Sequence, residues 1–423
     1  MILKIQLRNN HLINSQLNKK TQNILITGYE SYNKGSQARL EALLDLLKAN
    51  FKNHSVFLAV YDRFDIKKYD VTPIYVGEQE MKIIMNLEAP IQYISAFTRD
   101  IVNIIKGKPH NFMKYNQLRA QLLNMDLILD ISEHGLMDSK DLQSQYKYLY
   151  IYHMADICNI KYIIMPQSFG PFKKYPTDYK KSLLKDITEY LNKAEIVFTR
   201  DTESYNALSR LGIKKLKKSA DIVFLTQPTT RKNPVKVKAP EINTTRNVLV
   251  LPSKEQTEEM NIEKILELYR GMIRDVLNRG HDVYIAKYKH KDAAICKEIA
   301  KLFNDNKRVH YIKDDLTFES LDAILQKFDF CIVSDYYQIV QSFCKNVPCL
   351  LVRNTVDNHE LMKRFGQAKH ILDISSNKVW GLDVISSIEK LNRTLIDDKA
   401  RIASTLNTIQ SSKDLEILKQ YIH

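Results

Sequence analysis

The chain has 423 residues, 44% of them hydrophobic and 26% charged, with a formal charge of +14. That length is more than one core needs and the composition is that of a soluble globular protein, so two domains are expected. No run approaches the ~20 apolar residues of a membrane-spanning helix, and Met1–Leu17 has neither the apolar core nor the cleavage site of a secretory signal.

The five cysteines, Cys158, Cys296, Cys331, Cys344 and Cys349, show no C-x-x-C pair and no zinc spacing with histidine. They read as buried thiols of a protein in a reducing compartment, and no metal site is expected. The positive charge asks for an anionic partner: phosphates, an acidic membrane surface or nucleic acid. Nucleic acid fits worst, because the lysines are dispersed and no nucleic-acid motif is present.

In chain order, residues 1–22 are a polar lead-in. Asn23–Thr27 is an apolar strand, followed by a glycine-containing loop over 28–37 and a helix over Ala38–Phe51 with leucines at 40, 43, 44 and 47. This is a first βα unit. Its loop is neither G-x-G-x-x-G nor a Walker loop, yet it sets Asn33, Lys34, Gly35 and Ser36 at a helix N-terminus, where N–H groups favour an anion. Ser55–Val60 is a second strand, and a short one lies around Ile74–Val76. Residues 80–124 are less regular. Their apolar runs are flanked by Lys106, Lys108 and His110, a pattern that suits a membrane surface, an acceptor cleft or a helix on the sheet.

Asp126–Ile131 is a strand. The loop after it, 132–138, holds His134, Asp138 and a glycine at a strand's carboxyl end, the place for acid/base groups. Helix 141–158 leads to Tyr162–Met165, a strand that Pro166 should end, since proline cannot continue a central ladder. Gln167, Ser168, Gly170 and Pro171 then form a crevice loop, followed by Lys173. After helix 176–193, strand Glu195–Thr199 ends at Arg200-Asp201, helix 202–211 stops at Gly212, and Ser219–Phe224 closes the first domain, 23–225.

Residues 226–245, with three prolines and little apolar content, read as a linker. From 246 to 380 the alternation restarts, with strands at 247–251, 282–286, 309–312, 329–333 and 349–352 and helices between them. Residues 381–423 form a C-terminal amphipathic segment that can cross back. Two Rossmann-like βα domains facing across a cleft are an α/β fold of GT-B type.

Several pieces resemble the polysaccharide pyruvyl transferase family. They are Asn33-Lys-Gly-Ser-Gln-Ala38, Asp130-Ile-Ser132, Pro166-Gln-Ser-Phe-Gly-Pro-Phe172, Arg200-Asp-x-x-Ser204 with Leu208 and Gly212, and Ala220-Asp221. The resemblance implies transfer of a pyruvyl group from phosphoenolpyruvate to a sugar of a cell-surface polysaccharide or its lipid-linked precursor, forming a ketal. It implies no cofactor beyond that donor. The chain departs from the family in its second half, where Ser-Arg-x-His is expected and Ser334-Asp335-Tyr336-Tyr337 stands. A carboxylate in place of a cation has the wrong sign for an anionic donor.

The chemistry needs cations for a phosphate and a carboxylate, an acid for the enol carbon and a base for the sugar hydroxyl. Arg200 is the first choice for an anion contact, with Lys34 and Lys173 next and Asn33, Gln167 and Ser168 beside them. His134, Asp138, His290 and Tyr337 are the catalytic candidates. Asp335, Arg353 and His359 are placed on the donor side, and the cluster Lys287–Asp292 is a source of replacement cations. A nucleotide-sugar glycosyltransferase is the alternative, favoured by Asp335 and Glu360 as partners for ribose hydroxyls. A glycan-binding protein without turnover is the third reading. The expected location is the cytoplasm, docked peripherally on the anionic inner face of the plasma membrane.

Overall fold

A computed structural model describes residues 21–60, 69–76, 111–138, 140–173, 177–226, 241–242, 246–353, 355–374 and 381–422. The cation-flanked segment at 80–110, residues 1–20 of the lead-in and most of the linker lie outside these residues.

The first sheet contains β1 (Gln22–Thr27), β2 (His54–Val60), β3 (Thr72–Tyr75), β4 (Leu127–Asp130), β5 (Lys161–Gln167), β6 (Ile196–Thr199) and β7 (Leu216–Lys218). Its order is β3-β2-β1-β4-β5-β6-β7, and all neighbours run parallel. The second sheet has β8 (Asn247–Leu251), β9 (Asp282–Ala286), β10 (Val309–Ile312), β11 (Phe330–Val333) and β12 (Cys349–Leu351). It is also parallel, in the order β10-β9-β8-β11-β12.

In both sheets the order reverses after the third strand from one edge, between β1 and β4 and between β8 and β11. Ligand crevices of open α/β sheets open at the carboxyl ends of such switch points. The strands are apolar on both faces, as a sheet covered on both sides requires. Leu25, Ile128, Ile164 and Val197 fill one face of the first sheet, and Ile24, Leu127, Leu129 and Ile163 fill the other. Leu249, Cys331 and Cys349 alternate in the same way with Val250, Ile332 and Leu350 in the second.

The helices are α1 (Lys34–Asn50), α2 (Asn111–Leu122), α3 (Leu142–Cys158), α4 (Thr177–Lys193), α5 (Thr202–Arg210), α6 (Ile222–Leu225), α7 (Ile262–Asn278), α8 (Ala293–Lys301), α9 (Phe318–Ile324), α10 (Tyr336–Cys344), α11 (Val356–Arg364) and α12 (Gly381–Gln410). Helix α12 packs Val384, Ile388 and Leu391 on one side of the second sheet and Ile402, Leu406 and Ile409 on the other side's core. The chain then returns to the first sheet. Leu418 and Ile422 join the core of β1 and α1, and Gln22 Nε2 donates to the Tyr421 carbonyl at 2.7 Å.

Three local expectations are corrected. Pro166 does not end β5, which runs to Gln167. The register with β6 slips between Ile164 and Gln167, so the missing proline N–H falls at a bulge, where no ladder bond is needed. Helix α1 starts at Lys34 rather than Ala38, because Asn33 caps it through Gly35 N at 2.9 Å and Ser36 N at 3.3 Å. The cysteines are free thiols, but only Cys296, Cys331 and Cys349 are buried, while Cys158 and Cys344 are half-buried.

Candidate functional site

The loops at the carboxyl edge of the first sheet are tied together by Asp130. Its buried carboxylate accepts from Ser132 N at 3.1 Å, Ser132 Oγ at 2.7 Å, Tyr148 OH at 2.7 Å, Tyr152 OH at 2.8 Å and Gln167 Nε2 at 2.8 Å. Gly28, with φ +81°, lies so close that a Cβ would overlap Ser132 and Asp130. Gln167, fully buried, is thus turned into a structural hub rather than toward the cleft. Ser168 Oγ accepts from Arg200 Nε at 2.8 Å.

Arg200 is the centre of the arrangement. Its NH1 donates to Asp221 Oδ2 at 3.0 Å and to Tyr337 OH at 3.2 Å, and its NH2 lies 3.2 Å from His134 Nε2 and 3.8 Å from Asp357. Its guanidinium stacks 3.8 Å from the centre of the Tyr336 ring, a cation–π contact made out of water. Arg39 meets it from α1. Its NH1 donates to the same Asp221 Oδ2 at 3.3 Å and the same Tyr337 OH at 3.2 Å, while Nε and NH2 hold the carbonyls of Ile131 and Pro166 at 2.9 and 2.7 Å. Tyr337 OH donates in turn to Asp221 at 3.2 Å. Burial pushes the Tyr337 phenol well above its usual range, so it stays a neutral hydroxyl.

His134 sits at the mouth of this cluster. Glu133 Oε1 is 2.9 Å from its Nε2. Glu133, which can only accept, and Arg200 NH2, which can only donate, both meet this Nε2. Nδ1 is buried and has no hydrogen-bond partner among the described residues. Asn33 Nδ2 donates to Glu133 Oε2 at 3.3 Å. Burial raises the Glu133 carboxyl, but His134, Arg200 and Lys289 reverse this and hold it well below the usual range.

On the second sheet, Asp335 is the N-cap of α10 through Tyr337 N at 3.1 Å. Its carboxylate meets Lys289 Nζ at 2.5 Å, and Lys289 also lies 3.4 Å from Glu255. Burial would lower the Lys289 ammonium, yet Asp335, Glu255 and Glu133 keep it above its usual value. The wrong-signed carboxylate at 335 is therefore neutralised by a cation from the Lys287–Asp292 loop. Lys34 reaches across from α1, its ammonium donating to the Tyr288 carbonyl and lying 5.1 Å from the centre of that residue's ring. Burial pushes its pKa down, against the pull of Asp315 and Asp292.

Between the sheets, on the α5 and α11 side, is a cavity of about 880 Å³ lined by Arg200, Lys218, Tyr336, His359, Glu360 and Lys363, among others. Glu360 crosses it to accept from Thr202 N at 2.6 Å.

The structure thus gathers Asn33, Lys34, His134, Ser168, Arg200, Asp335, Tyr337 and His359 along one cleft. Others are elsewhere. Arg353 is turned away to Glu259 at 2.8 Å. The His290 side chain is 92% exposed, with Asp315 at 4.0 Å. Lys173 is exposed, and its backbone N–H donates to Asp138 at 2.6 Å. Arg39, Glu133, Asp221 and Tyr336 were missed as site residues, while Lys289 belongs to the cluster expected to supply replacement cations. Arg39 had a legible signal, since it falls on the leucine stripe of α1 with Leu43 and Leu47, and a fully buried arginine needs partners. Glu133 had only its place beside His134.

Two parallel α/β sheets whose carboxyl edges enclose a polar cleft define a fold of GT-B type. The profile described as polysaccharide pyruvyl transferase matches residues 33–335, and the chain belongs to that family. No curated protein matches it. Among solved structures, the glycotransferase of kitacinnamycin is similar with a TM-score of 0.58 at 12% identity, covering 96% of this chain and 100% of that one. A putative UDP-N-acetylglucosamine 2-epimerase from Listeria monocytogenes gives 0.52 at 13% identity, covering 94% and 92%. A UDP co-structure of MnaA from S. aureus gives 0.53 at 13% identity, covering 93% and 92%. These likenesses are of fold.

Proposed function

We propose that this protein transfers the pyruvyl group of phosphoenolpyruvate to two hydroxyls of one sugar in a surface polysaccharide or its precursor. The observation that supports this most is Arg200, buried between the sheets with its guanidinium spread over Ser168, Asp221, Tyr337 and His134. A planar fork so fixed suits a carboxylate or phosphate.

In the reaction the enol C3 takes a proton and becomes the ketal methyl. Two sugar oxygens bond to C2, and the C2–O bond to phosphate breaks. One hydroxyl proton goes to C3 and the other leaves with phosphate. His134, held at its Nε2 between Glu133 and Arg200 at the mouth of the cluster, is the group placed to move a proton. Arg200 offsets the donor's charge, while Lys289 cancels the Asp335 carboxylate that stands where the family has a cation.

A nucleotide-sugar donor is the second reading, and its two carboxylates have protein partners: Asp335 bonds Lys289 and caps α10, and Glu360 accepts from Thr202 N.

Thermal shift tests the reading. Phosphoenolpyruvate at 100 times its dissociation constant should stabilise the protein by about 2.7 kcal/mol, and Arg200→Ala should remove that shift. Stabilisation by nucleoside diphosphates and not by phosphoenolpyruvate would sink it.

A further inference from the structure

Between Glu203 and Asp221 the chain carries five cations, Arg210, Lys214, Lys215, Lys217 and Lys218, and no carboxylate. The fold sets the lysines on and just before β7, an edge strand whose neighbour among the described residues is β6. All four are exposed. Lys215 has a carboxylate partner, Glu195 at 3.6 Å, and among the described residues Lys214, Lys217 and Lys218 have none.

Lysines on an edge strand discourage pairing with another chain, and that accounts for cations on β7 itself. It does not account for cations brought to the same edge from elsewhere. The C-terminal return places Lys413 with Lys217 and Lys218, and the three line a recess of about 610 Å³ beside Tyr205 of α5. The carboxylate in that recess, Asp414, accepts from Ser219 Oγ at 3.0 Å. The second sheet adds Arg364 of α11, whose NH1 donates to the Ser219 carbonyl at 3.1 Å, with Lys363 exposed next to it. Three separate segments, drawn from both sheets, put their cations on one face. Lys218, Lys363 and Arg364 also line the 880 Å³ cavity, so the basic face runs into it.

We propose that this face docks the protein on an anionic phospholipid bilayer. A bilayer offers negative charge spread over a plane and asks for charge density within a Debye length rather than for shaped contacts. The cations here are mostly lysines, point charges on flexible stems rather than forks fixed for one phosphate. Tyr205 is half-buried with the Lys218 ammonium 4.8 Å from the centre of its ring, so it offers no free face for a nucleic-acid base to stack on. Docked in this way, the cavity opens beside the headgroups, within reach of a sugar carried on a lipid. The transferase reading gives the surface its purpose but is not its evidence.

Sedimentation of the full chain with vesicles tests this. At ~0.05 M salt it should pellet with vesicles containing about 30% phosphatidylglycerol and stay in solution with pure phosphatidylcholine, and ~0.5 M salt should release it. Lys217→Gln combined with Lys218→Gln should weaken binding to the anionic vesicles about 25-fold, since each lysine near such a surface contributes about fivefold. Lys297→Gln combined with Lys307→Gln removes the same charge from exposed positions on α8 and before β10, at the other edge of the second sheet. That pair should leave binding within about twofold of the parent, because charges beyond a Debye length are screened. All four side chains are exposed, and matching melting curves show that both variants fold.

No pelleting with the anionic vesicles overturns the proposal. So does an equal loss in the two double variants, which would make the attraction one of net charge alone. Binding to duplex DNA that falls in the 217/218 variant while vesicle binding does not would give the face to nucleic acid and overturn the bilayer assignment. Binding is read without turnover. A protein that pellets as expected but does not respond to phosphoenolpyruvate loses the transferase reading and keeps this surface, and the converse loses the surface alone.

Discussion

Asp130 shows how a motif residue can matter without touching a ligand. It lies in one of the pieces that carry the family resemblance, and its carboxylate gathers donors from Ser132, Tyr148, Tyr152 and Gln167. An asparagine there would turn an amide N–H₂ toward groups that are already donors. Leaving buried donors unpaired costs about 1–3 kcal/mol each. Asp130→Asn should therefore lower the melting temperature by several degrees and loosen the 132–138 loop. An unchanged melting curve would mean that the hub is not what holds the crevice floor. Gln167 is legible in the sequence as a crevice-loop residue, but which way its side chain turns is set by this carboxylate 37 positions away, and nothing local indicates it. Arg353 is a similar case, because Glu259, 94 positions away, captures it.

At the scale of elements, strand and helix order was legible along most of the described chain. Parallel strands buried on both faces read as short apolar runs, and the helices carry their own stop signals at Gly212 and near Gly280. The errors fall where one residue decides. Pro166 was read as a terminator, and a bulge accommodates it. The start of α1 was read four residues late, because the cap at Asn33 precedes the leucine stripe.

Three of the helix ends facing the cleft are capped by side chains, Asn33, Asp201 and Asp335, so the N–H groups those side chains hold are not free for an anion. Replacing Asn33 by alanine should cost about 1 kcal/mol of local stability and speed hydrogen exchange at Gly35 and Ser36 about fivefold. Exchange at those two amides equal to the parent protein would contradict this cap.

At the scale of the whole molecule, the chain is closed by its last turn. After Gln410 it leaves the second sheet and returns to the first, where Ser219 Oγ donates to Asp414 at 3.0 Å and Leu418, 1% exposed, enters the core under β1. Leu418→Ala should cost about 2–5 kcal/mol, seen as a lower melting temperature and as early proteolysis within 411–422. Resistance to proteolysis equal to the parent would show that this return adds little to the closed arrangement. The same closure brings Glu133 near Lys289 and sets Tyr337 on Arg39 and Arg200.

The sequence by itself determined the α/β class, the two runs of βα units and the family resemblance, because apolar periodicity, caps and glycine-bearing loops are local or short-range properties. It also singled out Arg200, directly after a strand, and His134, in the loop that follows one. It did not reveal the partners Arg39, Asp221 and Glu133, nor which cation of the Lys287–Asp292 cluster meets Asp335, nor that Tyr337 is buried. Those depend on which strand ends meet across the cleft, over separations as long as the 298 residues between Arg39 and Tyr337. Contacts of that range are fixed by how two cores pack and how the C-terminal segment ties them together, and only the tertiary structure decides that.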